Sequence, residues 1–263
     1  MTHSTILFEI KDSVAFLTLN RPNRQNAFNA LMYEEVRAAV KQVQPEKGAR
    51  VLLLTGSGSA FCAGHDLGKR RSVSRSDISN IAIAIEKGCN PLIRALHKLE
   101  LPVICAVNGA AAGAGVNLAL ACDIVLAARS ASFTQDAANF GLVPDSGGTW
   151  FLPRIVGHAR AMGLAMLGDS IDAEQAERWG MIWKCVDDDN LMHEAHALAQ
   201  RVANQPTLAL ALTKRAINIA HTKNLDEQLD VERDCQRQAG RTEDYREGLA
   251  AFAEQRDPDF TGR

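Results

Sequence analysis

Two short runs of β-forming residues open the chain, Ile6–Ile10 and Val14–Asn20, separated by the polar Lys11-Asp12-Ser13. That pattern predicts a hairpin. Apolar residues then fall at positions 31, 32, 36, 39, 40 and 43, the spacing of one helical face over 30–43. At Val51–Thr55 the periodicity gives way to an unbroken apolar run ahead of Gly56-Ser57-Gly58, as in a strand buried on both faces. A second helical pattern covers about 79–99 and stops before Pro102. Val103–Val107 repeats the buried-strand pattern, Asn108–Gly115 reads as a glycine/alanine loop, Val116–Ala121 begins a helix, and Asp123–Ala128 reads as a strand. Strand and helix therefore alternate through the first half, which indicates parallel crossovers and α/β layers. The character changes after about 145. From Ala159 onward nearly everything reads as helix, with breaks near Gly168–Ser170, Gly180, Asp187–Asn190, Pro206 and Gly240. Asp172-Ala173-Glu174-Gln175 and Asp188-Asp189-Asn190 look like helix starts. The expected organisation is an α/β body over 1–205 followed by amphipathic helices over 206–263.

Composition narrows the partners. A chain of 263 residues with 46% hydrophobic residues is long enough to bury a full core, about 75% of its unfolded surface, without covalent staples. Lys and Arg total 29 against 31 Asp and Glu, with no long block of one sign, which argues against nucleic acid or an anionic membrane as partner. Cysteines at 62, 89, 105, 122, 185 and 235 form no C-x-x-C pair and read as buried free thiols of a reducing compartment, with no metal site implied. Residues 1–10 lack a basic-then-apolar leader, so the expected location is the cytoplasm. Val103–Ala128 is mostly apolar and holds Gly109-x-x-x-Gly113, but Asn108, Asn117 and Asp123 interrupt it. It reads as strand, loop and buried helix, and not as a membrane span.

Three tempting motifs fail. Asp145-Ser146-Gly147-Gly148 has the look of a serine-protease nucleophile loop, yet the chain has no matching histidine motif and is not all-β. Ser146 is read more simply as a helix N-cap. Gly109, Gly113 and Gly115 are spaced G-x-x-x-G-x-G, neither a dinucleotide fingerprint nor a P-loop. His193 and His196 share a helical face but lack further ligands.

Two strand-to-turn junctions built from small residues stand out, Ser59–Leu67 and Pro102–Asn117, with a third loop at Phe133–Gly148. Such junctions can aim main-chain N–H groups at one point and so form an oxyanion hole. Across nearly its whole length the chain resembles the crotonase (enoyl-CoA hydratase/isomerase) superfamily. The matching segments are Leu19-Asn20-Arg21-Pro22, Ala60-Phe61-Cys62-Ala63-Gly64-x-Asp66-Leu67, Ala106-Val107-Asn108-Gly109, Ala121-Cys122-Asp123-Ile124, Gly141-Leu142-x-Pro144 and Gly147-Gly148-Thr149. The resemblance implies an α/β spiral of ββα units that binds acyl-CoA thioesters, and C-terminal helices that assemble trimers, often stacked into hexamers. It implies oxyanion donors at the N–H groups of His65 and Ala114, leaving the His65 side chain incidental to that role. For coenzyme A, the substrate's carrier and not a resident cofactor, it points to Arg24, Gln25 and Ala27, to Ala63 with the adjoining Asp66 and Leu67, and to Phe252 reaching in from a neighbouring subunit. The usual lysine near that aromatic is replaced by Gln255, with Arg256 beside it.

The departures are as informative as the matches. Hydratases of the superfamily use two glutamates, at positions that here read Asn117 and Ala137. Neither residue ionises, so ordinary hydration lacks both acid/base groups. Asp145 remains, at a position where some members carry an active aspartate, with Asp136 as a further nearby carboxylate. The stretches Ala128–Ala131, Gly141–Arg154, Trp179–Trp183 with Val186–Asp188, and Ala239–Gly248 are similar to the ring-1,2-epoxyphenylacetyl-CoA isomerase branch. The expectation is an isomerase in which Asp145 shuttles a proton alpha to the thioester. Three alternatives stay open: a general Δ3,Δ2-enoyl-CoA isomerase, a dehalogenase or thioester hydrolase using Asp145 as nucleophile, and a non-catalytic CoA-ester subunit. A pathway hydratase is a possible binding partner.

Overall fold

The computed structural model describes residues 3–66, 68 and 81–262. Two sheets carry the body. The first has six strands in the order β1 (Ile6–Lys11), β2 (Val14–Leu19), β3 (Val51–Gly56), β5 (Val103–Val107), β7 (Ile124–Ala128) and β10 (Lys184–Val186). The second has four strands of three residues each: β4 (Ala60–Cys62), β6 (Ala110–Ala112), β8 (Ser132–Thr134) and β9 (Ser170–Asp172). The hairpin β1–β2 turns at Asp12 and Ser13, both at positive φ (49° and 63°), the geometry that suits strand twist. From β2 to β10 the first sheet is parallel, and Leu17, Leu54, Cys105 and Val125 lie in one buried row across it. These strands are apolar on both faces because both are covered, one of them by helix α7 (Leu191–Ala203) lying against β3, β5 and β7.

Each of β3, β5 and β7 is followed by a short strand of the second sheet and then by a helical segment. The segments are residues 81–98, helix α3 (Ala114–Leu120) and a 3₁₀ turn Asp136–Phe140. This is the expected spiral of ββα units. Successive units stack backbone against backbone. A Cβ built on Gly109 would lie 2.1 Å from the Ser59 carbonyl oxygen, and one on Gly115 would lie 2.1 Å from that of Cys62. Only glycine fits at either place.

The second sheet is where sequence reading fell short. Three-residue strands are too short to show a period of two, and Ala110–Ala112 reads as a loop because alanine has little β preference. β9 and β10 interrupt the region read as nearly all helical. The first helix, α1, covers Ala30–Val40, ending before 43. The next pattern is helical from 81, passes through a π turn at Ile85–Cys89 and continues as α2 (Asn90–Lys98), while 79 and 80 lie outside the described residues. Helix α3 begins at Ala114, two positions before the expected start.

Helices α4 (Gly148–Val156), α5 (His158–Leu167) and α6 (Ala173–Arg178) lead into β10 and α7; Asp172 caps α6 through the Gln175 N–H, as expected. The tail comprises α8 (Thr207–Ile219), α9 (Leu225–Ala239) and α10 (Glu243–Glu254). Lys214 fastens α8 to the body by donating to the Leu96 and Leu101 carbonyls and to Asp123 Oδ2 (3.1, 3.2 and 2.8 Å). Arg50 donates to the Gln205 and Phe260 carbonyls and to Thr207 Oγ1. All six cysteines are unpaired; Cys122 and Cys185 are half-buried and not fully buried as read. No described helix is long and apolar enough to cross a membrane, and 103–128 folds as β5, β6, α3 and β7.

Candidate active site

The turn after β4 and the turn before α3 meet through a glycine. Gly64 has φ +84°, and a Cβ there would lie 2.9 Å from the Ala112 carbonyl oxygen and 3.4 Å from the Ala114 nitrogen. Phe28 forms a parallel bridge with His65: its N–H donates to the Gly64 carbonyl (2.7 Å) and its carbonyl accepts from Asp66 N–H (2.9 Å). In such a bridge the N–H of His65 itself points away from Phe28. Ala114 is the first residue of α3, so its N–H has no acceptor within the helix. The main-chain nitrogens of His65 and Ala114 thus lie on two separate turns that touch at Gly64.

The loop expected to bear coenzyme A is laced to the same place. Ala63 N–H donates to the Gln25 carbonyl (2.9 Å), and the fully buried Asn26 donates to the Ser57 and Ala60 carbonyls. Arg21 pairs with Asp66 (2.7 Å) and donates to the carbonyl of buried Ala27. Asp66 is spent in that ion pair: the hydrogen bond from Arg21 holds its carboxyl below the usual range, and the pair braces the turn. Arg24 and Gln25 are exposed beside it. Leu67 lies outside the described residues. Phe252, 85% exposed on α10, is not part of this cluster within one chain.

Asp145 sits between two left-handed glycines, Gly141 and Gly147. Its main chain is held by Asn117, wholly buried on α3, which donates to the Asp145 carbonyl (2.8 Å) and accepts from Gln135 Nε2 (2.7 Å). The side chain faces the oxyanion turn: Oδ2 lies 2.7 Å from His65 Nε2, and Oδ1 accepts from Ser146 Oγ at 2.8 Å. His65 Nδ1 is 2.9 Å from the Tyr33 hydroxyl, and Ser146 Oγ is 2.6 Å from Cys89 Sγ. His65 and Asp145 remain 29% and 22% exposed, so the pair lines an opening.

Burial pushes the Asp145 carboxyl up, but the hydrogen bond and charge of His65, with Ser146, more than reverse this and hold it below its ordinary value. Burial, with the Asp145 charge, raises the neighbouring Asp136. Asp136 also lies against the oxyanion turn, since a Cβ on Gly113 would fall 2.8 Å from its Oδ1. Burial above all keeps the Tyr33 phenol protonated and lifts the Cys89 thiol to about 11.

Two expectations change. Ser146 is not the cap of α4; Gly147 occupies that place, and Ser146, at φ +52°, turns its hydroxyl onto Asp145 and Cys89. The His65 side chain, assigned no part in the oxyanion role, is joined to the one carboxylate of interest. Tyr33 and Cys89 were missed as members of the cluster around Asp145, while Asn117, left open as an assistant to Asp145, holds its main chain. A tyrosine on the apolar side of α1 was the only available signal.

The enoyl-CoA hydratase/isomerase family model matches residues 9–263. The 1,2-epoxyphenylacetyl-CoA isomerase of Escherichia coli is 54% identical over 98% of this chain and 98% of its own length. The crotonyl-CoA hydratase of Syntrophomonas wolfei is 34% identical over 100% of both. Among solved structures, an enoyl-CoA hydratase from a Polaromonas species superposes with TM-score 0.92 at 34% identity, covering 97% of this chain and 99% of that one.

Proposed function

The chain belongs to the enoyl-CoA hydratase/isomerase family, and on that premise we propose that it isomerises CoA thioesters, converting ring-1,2-epoxyphenylacetyl-CoA to the oxepin thioester. The observation that carries this reading is one ionised carboxylate, Asp145, facing the two-donor turn while positions 117 and 137 hold Asn and Ala. The thioester oxygen sits between the N–H groups of His65 and Ala114. Asp145 takes a proton from the carbon alpha to the thioester, the bonding pair becomes an enolate stabilised by those donors, and the proton returns at a remote carbon. No atom is gained or lost, so one carboxylate suffices and no water need be activated. For the ring epoxide the same polarised thioester supports the electron shift of ring expansion. A small cavity bordered by Phe28, Tyr33, Cys89, Ile93, Ala114 and Ser146 lies beside the Ala114 donor. Arg24, Gln25, Ala27 and Ala63 are assigned to the coenzyme A moiety, with Phe252 contributed across a trimer or hexamer.

Assay of the purified protein with the ring epoxide and with a β,γ-unsaturated acyl-CoA tests the reading. Faster turnover of the epoxide supports it, and preference for the linear substrate replaces it with a general Δ3,Δ2-enoyl-CoA isomerase. Asp136 favours a second reading, hydration, because a raised carboxyl beside Asp145 supplies an acid partner. Water addition to crotonyl-CoA that Asp136→Asn abolishes would establish it.

A further inference from the structure

A proton shuttle requires only the Asp145 carboxylate, yet both of its oxygens are engaged, and the partners form an ordered chain. Tyr33, on α1, stacks on Phe28 with ring centroids 4.5 Å apart, which fixes its hydroxyl 2.9 Å from His65 Nδ1. The ionised Asp145 carboxylate only accepts, so it takes the hydrogen on Nε2, the atom 2.7 Å from its Oδ2, and Nδ1 of an uncharged imidazole is left to accept from the Tyr33 hydroxyl. Donation therefore runs one way, from Tyr33 through His65 to Asp145. From the other side Ser146 donates to Oδ1 and is itself braced by Cys89 on the π turn.

We propose that the His65 side chain is a positioning residue for Asp145: with Tyr33 donating to its Nδ1, it aims the carboxylate and stabilises its anionic form, while the N–H of the same residue polarises the thioester. The catalytic part of this inference rests on the isomerase reading. When Asp145 takes the substrate proton, His65 keeps its Nε2 hydrogen and its bond to the now neutral carboxyl weakens. The proton then leaves for the remote carbon and the bond recovers, with none passing to Tyr33.

The other groups facing the pair are Asp136 from the 3₁₀ turn and Cys89 from the π turn, while Cys62 from β4 faces Tyr33. The Arg21–Asp66 pair braces the same turn. None of these replaces His65 as a donor. Without the imidazole, burial and the Asp136 charge act on Asp145 opposed mainly by Ser146.

The test is the titration of the Asp145 carboxyl, followed by ¹³C NMR in the ligand-free protein and assigned with Asp145→Asn. It is paired with pH profiles of isomerisation. His65→Ala is expected to move the titration, and the acid limb of kcat/KM, to higher pH. It is also expected to lower kcat roughly 10- to 100-fold, the usual loss for an orienting partner, with KM for the thioester nearly unchanged because the N–H at 65 survives. Tyr33→Phe moves both in the same direction by less, and His65→Gln, which keeps an amide donor, restores part of each. An unmoved titration in folded His65→Ala and His65→Gln overturns the inference, even where the wild-type protein isomerises normally. A moved titration in a protein that isomerises neither the ring epoxide nor an enoyl-CoA upholds the His65–Asp145 tie and overturns the isomerase reading instead.

Discussion

Two part-buried aspartates in this protein each hold a basic side chain at nearly the same distance, and they behave in opposite ways. Asp145 meets His65 at 2.7 Å and lies below its ordinary value; Asp123 meets Lys214 at 2.8 Å and lies above it. Burial acts upward on both. At Asp145 it is outweighed, because the histidine bond is joined by one from Ser146. At Asp123 it prevails, although Lys214 and the Val103 N–H both donate to Oδ2. Lys214 divides its three hydrogens among Asp123 and two carbonyls, which serves anchorage of α8 more than ionisation of one carboxylate. A short ion pair therefore does not by itself mark a site. What separates the two is the set of donors: His65 and Ser146 serve the Asp145 carboxylate, whereas Lys214 is shared between Asp123 and two carbonyls and works as a strut.

The comparison can be broken in stages. Asp145→Asn should lower isomerase kcat by roughly 10²- to 10⁴-fold, the usual worth of a proton-transferring group, with binding of the CoA ester retained by calorimetry. Wild-type-like turnover would remove Asp145 from the chemistry. Lys214→Met leaves Asp123 without its cation and should destabilise the fold by about 3–5 kcal/mol in urea melts, with kcat per folded protein unchanged. A loss of activity without a loss of stability would place the strut in the site.

The smallest effect is in sign. Asp145 is depressed, so around its ordinary value of 3.8 the unfolded chain binds more protons; its stabilisation is present above that value and fades as pH falls through the folded one. Asp123 is raised, so in the interval just above 3.8 the folded chain binds more protons and stability declines as pH rises. Urea melts across this range should show Asp145→Asn removing a rise and Asp123→Asn removing a fall. Slopes of the same sign would dissolve the distinction.

The first sheet was legible except at its three-residue edge strand β10, because its inner strands are apolar runs bounded by glycine or proline, as at Val51–Gly56 and Val103–Val107. The second sheet was not, because it is built by close backbone stacking at Gly109 and Gly115 and leaves no side-chain pattern. At the site, the main-chain donors and Asp145 followed from motif and resemblance. The ties of His65 to Tyr33 and Asp145 join residues 32 and 80 positions apart, and nothing local signals them. Ser146 misled because a serine before two glycines has the chemistry of a cap, and only its positive φ shows that it faces inward.

The touching turns at Gly64 carry one last implication. Main-chain packing at Gly64, braced by the Arg21–Asp66 pair, sets the spacing of the His65 and Ala114 nitrogens, so the side chain at 65 can be exchanged without resetting it. On the proposed reading, position 65 works as an interchangeable tool head on a fixed jig: a new side chain there changes what meets Asp145 while the main-chain N–H stays in place.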